Sequence, residues 1–343
     1  MKRITIEDVA KRAGVSKGTV SAVMNAKNTV KPETRDHVLE IMKELHFRPK
    51  GVARNLRNGD GDKCIGIIIK DLNYPFYTEI ATGVRDYAKS KGYSLLVTSS
   101  ENDHHSEKRF SQLFSAKDIK GAIIAPIVEG TAEIEHLFKL KMINYPFVLL
   151  EDVRGIQANV VAIDNSKAIK KAVKYLMDCG HTRIVHFAGP PSSSHTEERI
   201  DGFRHAFSES TLVFNKDMVV SIGSRQEESY GNTLNYFKNK PRKEYPTAIV
   251  CFNDQQALAI LTALKELNIR VPDDISIIGN DDISYARIYP VPLTTIRAPQ
   301  HEIGKRAAEL LMRNIESPHL LPVERVVLET ELIIRESTRD IRH

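Results

Sequence analysis

The sequence predicts a small all-α head joined to a larger α/β body of two lobes, and three observations predict it. Apolar residues recur at helical spacing through roughly the first 45 residues, with capping and turn residues between the runs. Beyond about residue 63 the pattern changes to apolar, β-branched runs alternating with amphipathic stretches. Charge divides at the same place. Residues 1–60 hold 13 Lys and Arg against 7 Asp and Glu, whereas residues 61–343 hold 36 against 37. The net +5 of the 343-residue chain is therefore a +6 head on a −1 body. A basic module on a near-neutral body points to nucleic-acid binding in the head and ligand or partner binding in the body.

In the head, Thr5 with Asp8 at the N3 position forms a capping box, and Ile6, Val9, Ala10 and Ala13 follow one buried helix face. Gly14 ends that helix. Ser16 caps a second one, with Val20, Val23 and Met24 inward and Lys17, Gly18, Ser21 and Ala22 outward. Pro32 suits the first turn of a third helix, with Val38, Ile41, Met42 and Leu45 inward and Pro49 beyond its end. Two short helices joined at Gly14-Val15-Ser16, plus a third that completes the core, make a helix-turn-helix arrangement. Gly51 to Arg57 is helix-compatible, and Asn58-Gly59-Asp60-Gly61-Asp62 has the composition of a polar linker.

In the body, strands are expected at 64–69, 93–98, 121–127, 147–150, 160–163, 183–188, 218–222, 248–252 and 275–278. Helices are expected at 76–91, 106–117, 166–179, 198–209, 229–238 and 254–267. This alternation is too long for one doubly wound sheet, so two parallel-sheet lobes are expected, meeting near Asp164 and again near Pro292-Leu293-Thr294. Ligands of open parallel sheets bind outside the strand C-termini, which in two facing lobes makes an interlobe cleft.

Several classes are excluded or weakened. No apolar run approaches the ~18–20 residues needed to cross a bilayer, and the stretch from Met1 to Asp8 has no apolar signal-peptide core. A cytoplasmic protein with no membrane partner is expected. Cys64, Cys179 and Cys251 lie more than 70 residues apart and read as small apolar residues in or near strands. Neither GxGxxG after a strand nor GxxxxGK[ST] occurs. Asp103-His104-His105 stands alone and suits a polar loop. Ser192-Ser193-Ser194-His195, after Pro190-Pro191, lacks a nucleophile-elbow context and suits a loop at the cleft rim. No catalytic set, metal site or cofactor is expected.

Taken together, Thr5-Ile6-Glu7-Asp8-Val9-Ala10, Ala13-Gly14-Val15-Ser16, Thr19-Val20-Ser21, Val23-Met24-Asn25 and Lys31-Pro32-Glu33-Thr34-Arg35 closely resemble the amino-terminal signature of the lactose-repressor (LacI) family of bacterial transcription regulators. The resemblance continues through Asn73-Tyr74-Pro75-Phe76, Val161-Ala162-Ile163-Asp164-Asn165, Arg199-Ile200-Asp201-Gly202-Phe203, Phe252-Asn253-Asp254 and Val271-Pro272-Asp273-Asp274-Ile275-Ser276, and so covers essentially the whole chain. It implies a helix-turn-helix DNA-binding domain over 1–48, a hinge helix and linker over 49–62, and an effector-binding, dimerising body over 63–343 that resembles periplasmic sugar-binding proteins. Lobe 1 would comprise about 63–163 and 295–325, and lobe 2 about 164–294 and 326–343.

The resemblance places the second helix in the major groove, where Lys17 is the long donor for guanine O6 or N7 and Gly18 offers no side chain. Many family members carry Arg where this chain has Ala22; the methyl group suits a thymine methyl or close packing, and the family's usual operator does not transfer. Thr5, Ser16, Thr19, Ser21 and Asn25 are expected as phosphate anchors or caps, with local helix termination the alternative for Thr19 and Asn25. Val52, Ala53, Arg54, Leu56 and Arg57 match the hinge. At about seven residues that segment is too short to stay helical alone. The family folds it in the minor groove beside a second subunit, with the residue matching Leu56 as a wedge and Arg54 and Arg57 near phosphates; the alternative packs Val52 and Leu56 on the body. Lys50 stands where the family usually has Asn, and exchanges a polar contact for a phosphate contact.

For the cleft the resemblance singles out Arg199, Asn253 and Asp281, with Asp71, Asn73 and Phe76 as the opposite wall. Glu151 or Asp152 occupies the neighbourhood of a further contact, and Asp164 and Asp282 either cap backbone or touch ligand. The partners expected are a pseudo-palindromic DNA operator, a small effector that is a sugar or sugar derivative, and a second copy of the chain. The competing reading is a sugar-binding receptor without a DNA role.

Overall fold

The computed structural model describes residues 5–24, 30–45, 47, 63–128, 134–223, 225–317 and 322–342. The chain divides into two compact units, Met1–Asp62 and Lys63–His343.

The first unit is built from α1 (Ile6–Ala13), α2 (Lys17–Met24) and α3 (Pro32–Glu44). The capping box forms as expected: the Asp8 backbone N–H donates to Thr5 Oγ1 at 3.3 Å, and the Thr5 backbone N–H donates to Asp8 Oδ2 at 2.7 Å. Gly14 stops α1 in the left-handed conformation at φ 64°. Val9, Ala10, Ala13, Val20, Val23 and Val38 form the buried core of the head, and Met24, Ile41, Met42 and Leu45 pack against it half-buried. Lys17 and Gly18 are exposed, while Ser21 and Ala22 are half-buried rather than fully outward.

The second unit holds two sheets of the same winding apart from the direction of one edge strand. The first contains β1 (Lys63–Ile69), β2 (Tyr93–Ser99), β3 (Ile119–Ile124), β4 (Phe147–Leu149), β5 (Asn159–Ile163) and β11 (Arg325–Leu328), in the order β11-β5-β4-β3-β1-β2. The second contains β6 (Ile184–Ala188), β7 (Val219–Ser221), β8 (Ala248–Cys251), β9 (Ser276–Asp281), β10 (Thr294–Arg297) and β12 (Glu331–Ile333), in the order β12-β10-β9-β8-β6-β7. All pairings are parallel except β10 with β12.

Helices cover both faces of each sheet, which is why the strands read as near-continuous apolar runs. On the first sheet, Ile65, Ile67 and Ile69 face α4 (Pro75–Ser90) and α11 (Gln300–Glu316). Ile68 faces α5 (His104–Ser115) and α6 (Glu135–Met142), in the cluster that holds Phe114 and Leu137. Helices α4 and α11 cross in backbone contact. A Cβ on Gly83 would lie 2.0 Å from the His301 carbonyl oxygen, and one on Gly304 would lie 2.0 Å from that of Ile80. The second sheet is covered by α7 (Asn165–Asp178) and α8 (Ser194–Ser208) on one face and by α9 (Gln226–Lys238) and α10 (Asp254–Glu266) on the other. Each fully buried Ile, Val or Phe here contributes on the order of 1.5–3 kcal/mol.

Three connections pass between the sheets: Ile163 to Asn165, Arg297 to Gln300, and Leu328 to Glu331. This corrects two expected lobe boundaries. Residues 295–297 belong to the second sheet through β10, and 326–328 belong to the first through β11. Both strands are short, and only their pairing assigns them to a sheet. The strands β10, β11 and β12 and the helices α6 and α11 were not among the expected elements. Helix α8 starts at Ser194, four residues earlier than expected, so Ser194 and His195 form its first turn rather than a loop. Asp103 is the N-cap of α5, accepting from the Ser106 N–H at 2.8 Å. Cys64 and Cys251 lie in strands, but Cys179 follows the end of α7.

Candidate effector cleft and DNA-reading helix

In both sheets the strand order reverses beside the first strand of the lobe, at β1 and β6, and there a ligand finds open space at the strand C-termini. A cavity of about 770 Å³ opens at that place, between the two sheets. The six residues expected in the cleft, Asp71, Asn73, Phe76, Arg199, Asn253 and Asp281, all line it.

Asp281 ends β9 with φ 123°, a backbone region few non-glycine residues occupy, followed by Asp282 at φ 57°. The surroundings hold this turn. Asp282 is clamped by Arg297, at 2.8 Å, and by Arg335, so it neither caps a helix nor faces ligand. Gln300 donates its side-chain amide to the Asp281 carbonyl. The Asp281 carboxylate, 3% exposed, accepts from the Tyr74 hydroxyl and from Asn280 Nδ2 at 2.8 Å. Burial raises its pKa to about 6, against the opposing pull of Arg199.

Arg199 lies in α8 over the Phe252 ring, 4.3 Å from its centroid. Its Nε and Nη2 donate to Asn165 Oδ1 at 3.2 Å each, and Nη1 donates to the Phe252 carbonyl. Three of its five N–H groups are thus held by protein, which orients the guanidinium. Asn253 caps α10, its Oδ1 accepting from the Gln256 N–H at 2.8 Å, so only its amide nitrogen is left for the cavity. Asp164 likewise caps α7, through the Lys167 N–H at 2.8 Å. On the first lobe, Asp71 Oδ1 accepts from the Asn73 N–H at 2.7 Å, and Phe76 stands between Tyr74 and Tyr77, at 6.0 and 5.2 Å between ring centroids.

Among the described residues lining the cavity, two side-chain links join the lobes, besides the exposed Arg154–Glu197 pair at 3.8 Å. One is Tyr74 to Asp281. The other is Glu151, after β4, to His195 in α8 at 2.8 Å, with Lys70 on the same carboxylate at 2.5 Å. Burial alone would raise the Glu151 pKa, but His195 and Lys70 outweigh it and hold the group at about 2. Burial opposes the charge on His195, and Glu151 overcomes it, so that pKa is raised. Glu151 and Asp152 both line the cavity; Glu151 is buried in this cluster, whereas Asp152 is exposed and paired with Arg325 at 2.8 Å. Sequence reasoning did not name Lys70, Tyr74, Tyr77 or Asn165 as cleft contacts, and placed His195 only in a loop at the cleft rim. The one available signal was their position just past strand ends. Behind the cleft, Asp254 is fully buried and accepts from Thr295 Oγ1 at 2.5 Å and from the Ile283 N–H at 2.9 Å. Burial, then the nearby Asp281 charge, pushes its pKa to about 8.

In the head, Lys17 opens α2 with 61% of its side chain exposed and pairs with Glu7 of α1. Ser16 Oγ caps α2, accepting from the Thr19 N–H at 3.0 Å, and shares a hydroxyl contact of 2.9 Å with Thr19 Oγ1. Thr5 spends its hydroxyl in the capping box. Asn25, Lys50, Val52, Ala53, Arg54, Leu56 and Arg57 lie outside the described residues.

A three-helix head with an exposed second helix, and a two-lobed body closed around a polar cleft, define a ligand-responsive DNA-binding regulator. Residues 5–50 match the model of bacterial regulatory proteins of the lacI family, and residues 173–338 match a periplasmic binding protein-like domain. The chain is 33% identical over 341 residues to the HTH-type transcriptional repressor PurR of Haemophilus influenzae (strain PittEE), covering 98% of this chain and 99% of that one. Among solved structures it is similar to the transcriptional regulator CelR in complex with cellobiose, with TM-score 0.71, 26% identity, and 98% and 100% of the two chains covered. It is also similar to a Lac repressor dimer bound to operator and the anti-inducer ONPF, with TM-score 0.68, 25% identity and the same coverage. The chain belongs to the LacI family of bacterial DNA-binding transcription regulators. Among the described residues no helix is long and apolar enough to cross a membrane, and no group of three or more His, Cys, Asp or Glu could hold a metal ion.

Proposed function

We propose that this chain is a cytoplasmic repressor of carbohydrate-utilisation genes that binds a pseudo-palindromic operator as a homodimer and answers to a sugar or sugar derivative held in the interlobe cleft. One observation carries the effector part: Arg199, Asn253 and Asp281 from one lobe and Asp71, Asn73 and Phe76 from the other converge on a single cavity. The two unspent N–H groups of Arg199 and the Asp281 carboxylate offer a donor and an acceptor to neighbouring hydroxyls, and Phe76 offers an apolar ring face. The cellobiose complex of CelR supports a polyhydroxyl ligand. The aromatic group of Tyr74, Phe76 and Tyr77 favours a second reading, a planar heterocyclic effector.

On the DNA side, Lys17 reads a guanine edge from the start of α2. The segment containing Val52, Ala53, Arg54, Leu56 and Arg57 enters the minor groove, with Lys50 at a phosphate. Effector binding changes the lobe angle and thereby the pairing of two hinge segments, and a coupling of ~1–3 kcal/mol changes operator affinity about 5- to 150-fold. Binding to DNA upstream of the protein's own gene should fall steeply with salt and disappear when residues 1–58 are deleted. Affinity that ignores salt, or that survives the deletion, would overturn the regulator reading.

A further inference from the structure

We propose that the cleft selects by charge: its effector is a ring compound that is neutral or carries an amine, and the phosphorylated form of the same compound is rejected. This rests on the reading of the cleft as the effector site. Among the described residues lining the cavity, seven carboxylate side chains face four Lys or Arg and His195, which pairs with Glu151 and Glu198. Two of the four are held by carboxylates. Lys70 is held by Glu151, and Arg325 by Asp152. Arg199 spends three of its N–H groups on Asn165 and Phe252, and Arg225 stands exposed at the rim, two residues from Glu227.

The carboxylates are less well neutralised. Asp71, Glu101 and Glu227 make no salt bridge among the described residues, and buried Asp281 has a hydroxyl and an amide for partners but no cation within salt-bridge distance. Helix N-termini, the usual phosphate seats, are also unfavourable. Asn253 fills the start of α10, α4 begins with Pro75, which has no N–H, and Glu197 sits in the first turn of α8. A phosphate entering the cavity would meet surplus negative charge in a partly desolvated space, where the cations not held by a carboxylate are Arg199, with two N–H groups left, and Arg225 at the exposed rim.

The test uses the full-length protein and matched pairs: D-glucose and glucose 6-phosphate, D-glucosamine and its 6-phosphate, D-ribose and ribose 5-phosphate, and guanosine and its 5′-monophosphate. Thermal shift identifies a pair that binds, and calorimetry at 20 and 300 mM NaCl measures both members. The unphosphorylated member should bind at least about ten-fold more tightly at low salt, and the gap should narrow at high salt as screening weakens the repulsion. The double variant Glu101→Gln/Glu227→Gln should narrow it as well. A phosphorylated member that binds as tightly as its parent, or a gap indifferent to both salt and the double variant, overturns the proposal while leaving the effector site standing. If no member of any pair shifts the melting temperature, the effector reading and this proposal fall together.

Discussion

In the head, Lys17 meets Glu7 with 61% and 59% of the two side chains exposed; in the body, Lys70 meets Glu151 with 13% and 8% exposed. The residue types are the same, and water decides what each pair does. An exposed pair is screened and easily exchanged, so Lys17 can leave Glu7 for another partner at little cost. A buried pair cannot lose one member without leaving the other charge stranded, so Lys70, Glu151 and His195 act as fixed structure in the cleft. The head therefore keeps its reading charge reversible, and the body keeps its charges in place.

Breaking the buried side should have the largest effect. Glu151→Gln strands the Lys70 ammonium and unties His195, and should destabilise the body by roughly 3–5 kcal/mol in urea unfolding; a loss below about 1 kcal/mol would show that the two pairs do not differ as argued. Asp254 sharpens the same point through pH. Its folded pKa of about 8 lies above the ordinary carboxylate value, so the folded state holds a proton that the unfolded state releases. Stability should then fall as pH rises from about 4 to 8, by up to ~1.4 kcal/mol per pH unit. Asp254→Asn mimics the neutral acid, can still pair with Thr295 and Ile283, and should flatten that slope in thermal melts; an unchanged slope would remove Asp254 as its source.

Asp281→Ala should abolish the effector-dependent change in operator affinity while leaving effector-free operator binding within about two-fold; a normal response in a binding titration would take Asp281 out of the site. In the head, Lys17→Ala should relax preference about ten-fold at one base pair per half-site, whereas a uniform loss across sequences would make Lys17 a phosphate contact. The smallest effect belongs to Glu7→Gln. Freeing Lys17 from an exposed partner should raise operator affinity by no more than about five-fold at low salt, fading at high salt. A larger gain would mean that Glu7 restrains Lys17 more than an exposed pair should.

The cleft residues were named through the family resemblance, and the positions of Asp71, Asn73, Asn253 and Asp281 at strand ends fit it, since parallel sheets present side chains to ligands there. Arg199, Asn253 and Asp281 line the cavity, yet part of each is spent on the protein: Arg199 on Asn165, Asn253 on a helix cap, Asp281 on Tyr74. The pairings of Tyr74 and His195 were not legible because their partners lie 207 and 44 positions away in the chain, and no local pattern marks a pairing of that kind. The short strand β11 was unreadable for a related reason: Arg325–Leu328 alternates exposed and half-buried residues at a sheet edge and becomes a strand only by pairing with β5.

By itself the sequence determined the three helices of the head, the alternation of strands and helices in the body, and the division of charge between them. Those features depend on caps, turn residues and apolar period, all carried by neighbours a few positions apart. The tertiary structure decided which strands cross between lobes, why Asp281 takes its strained turn, and which charges in the cleft are neutralised. Burial and partnership set those outcomes, and both arise from residues that meet only once the chain has folded.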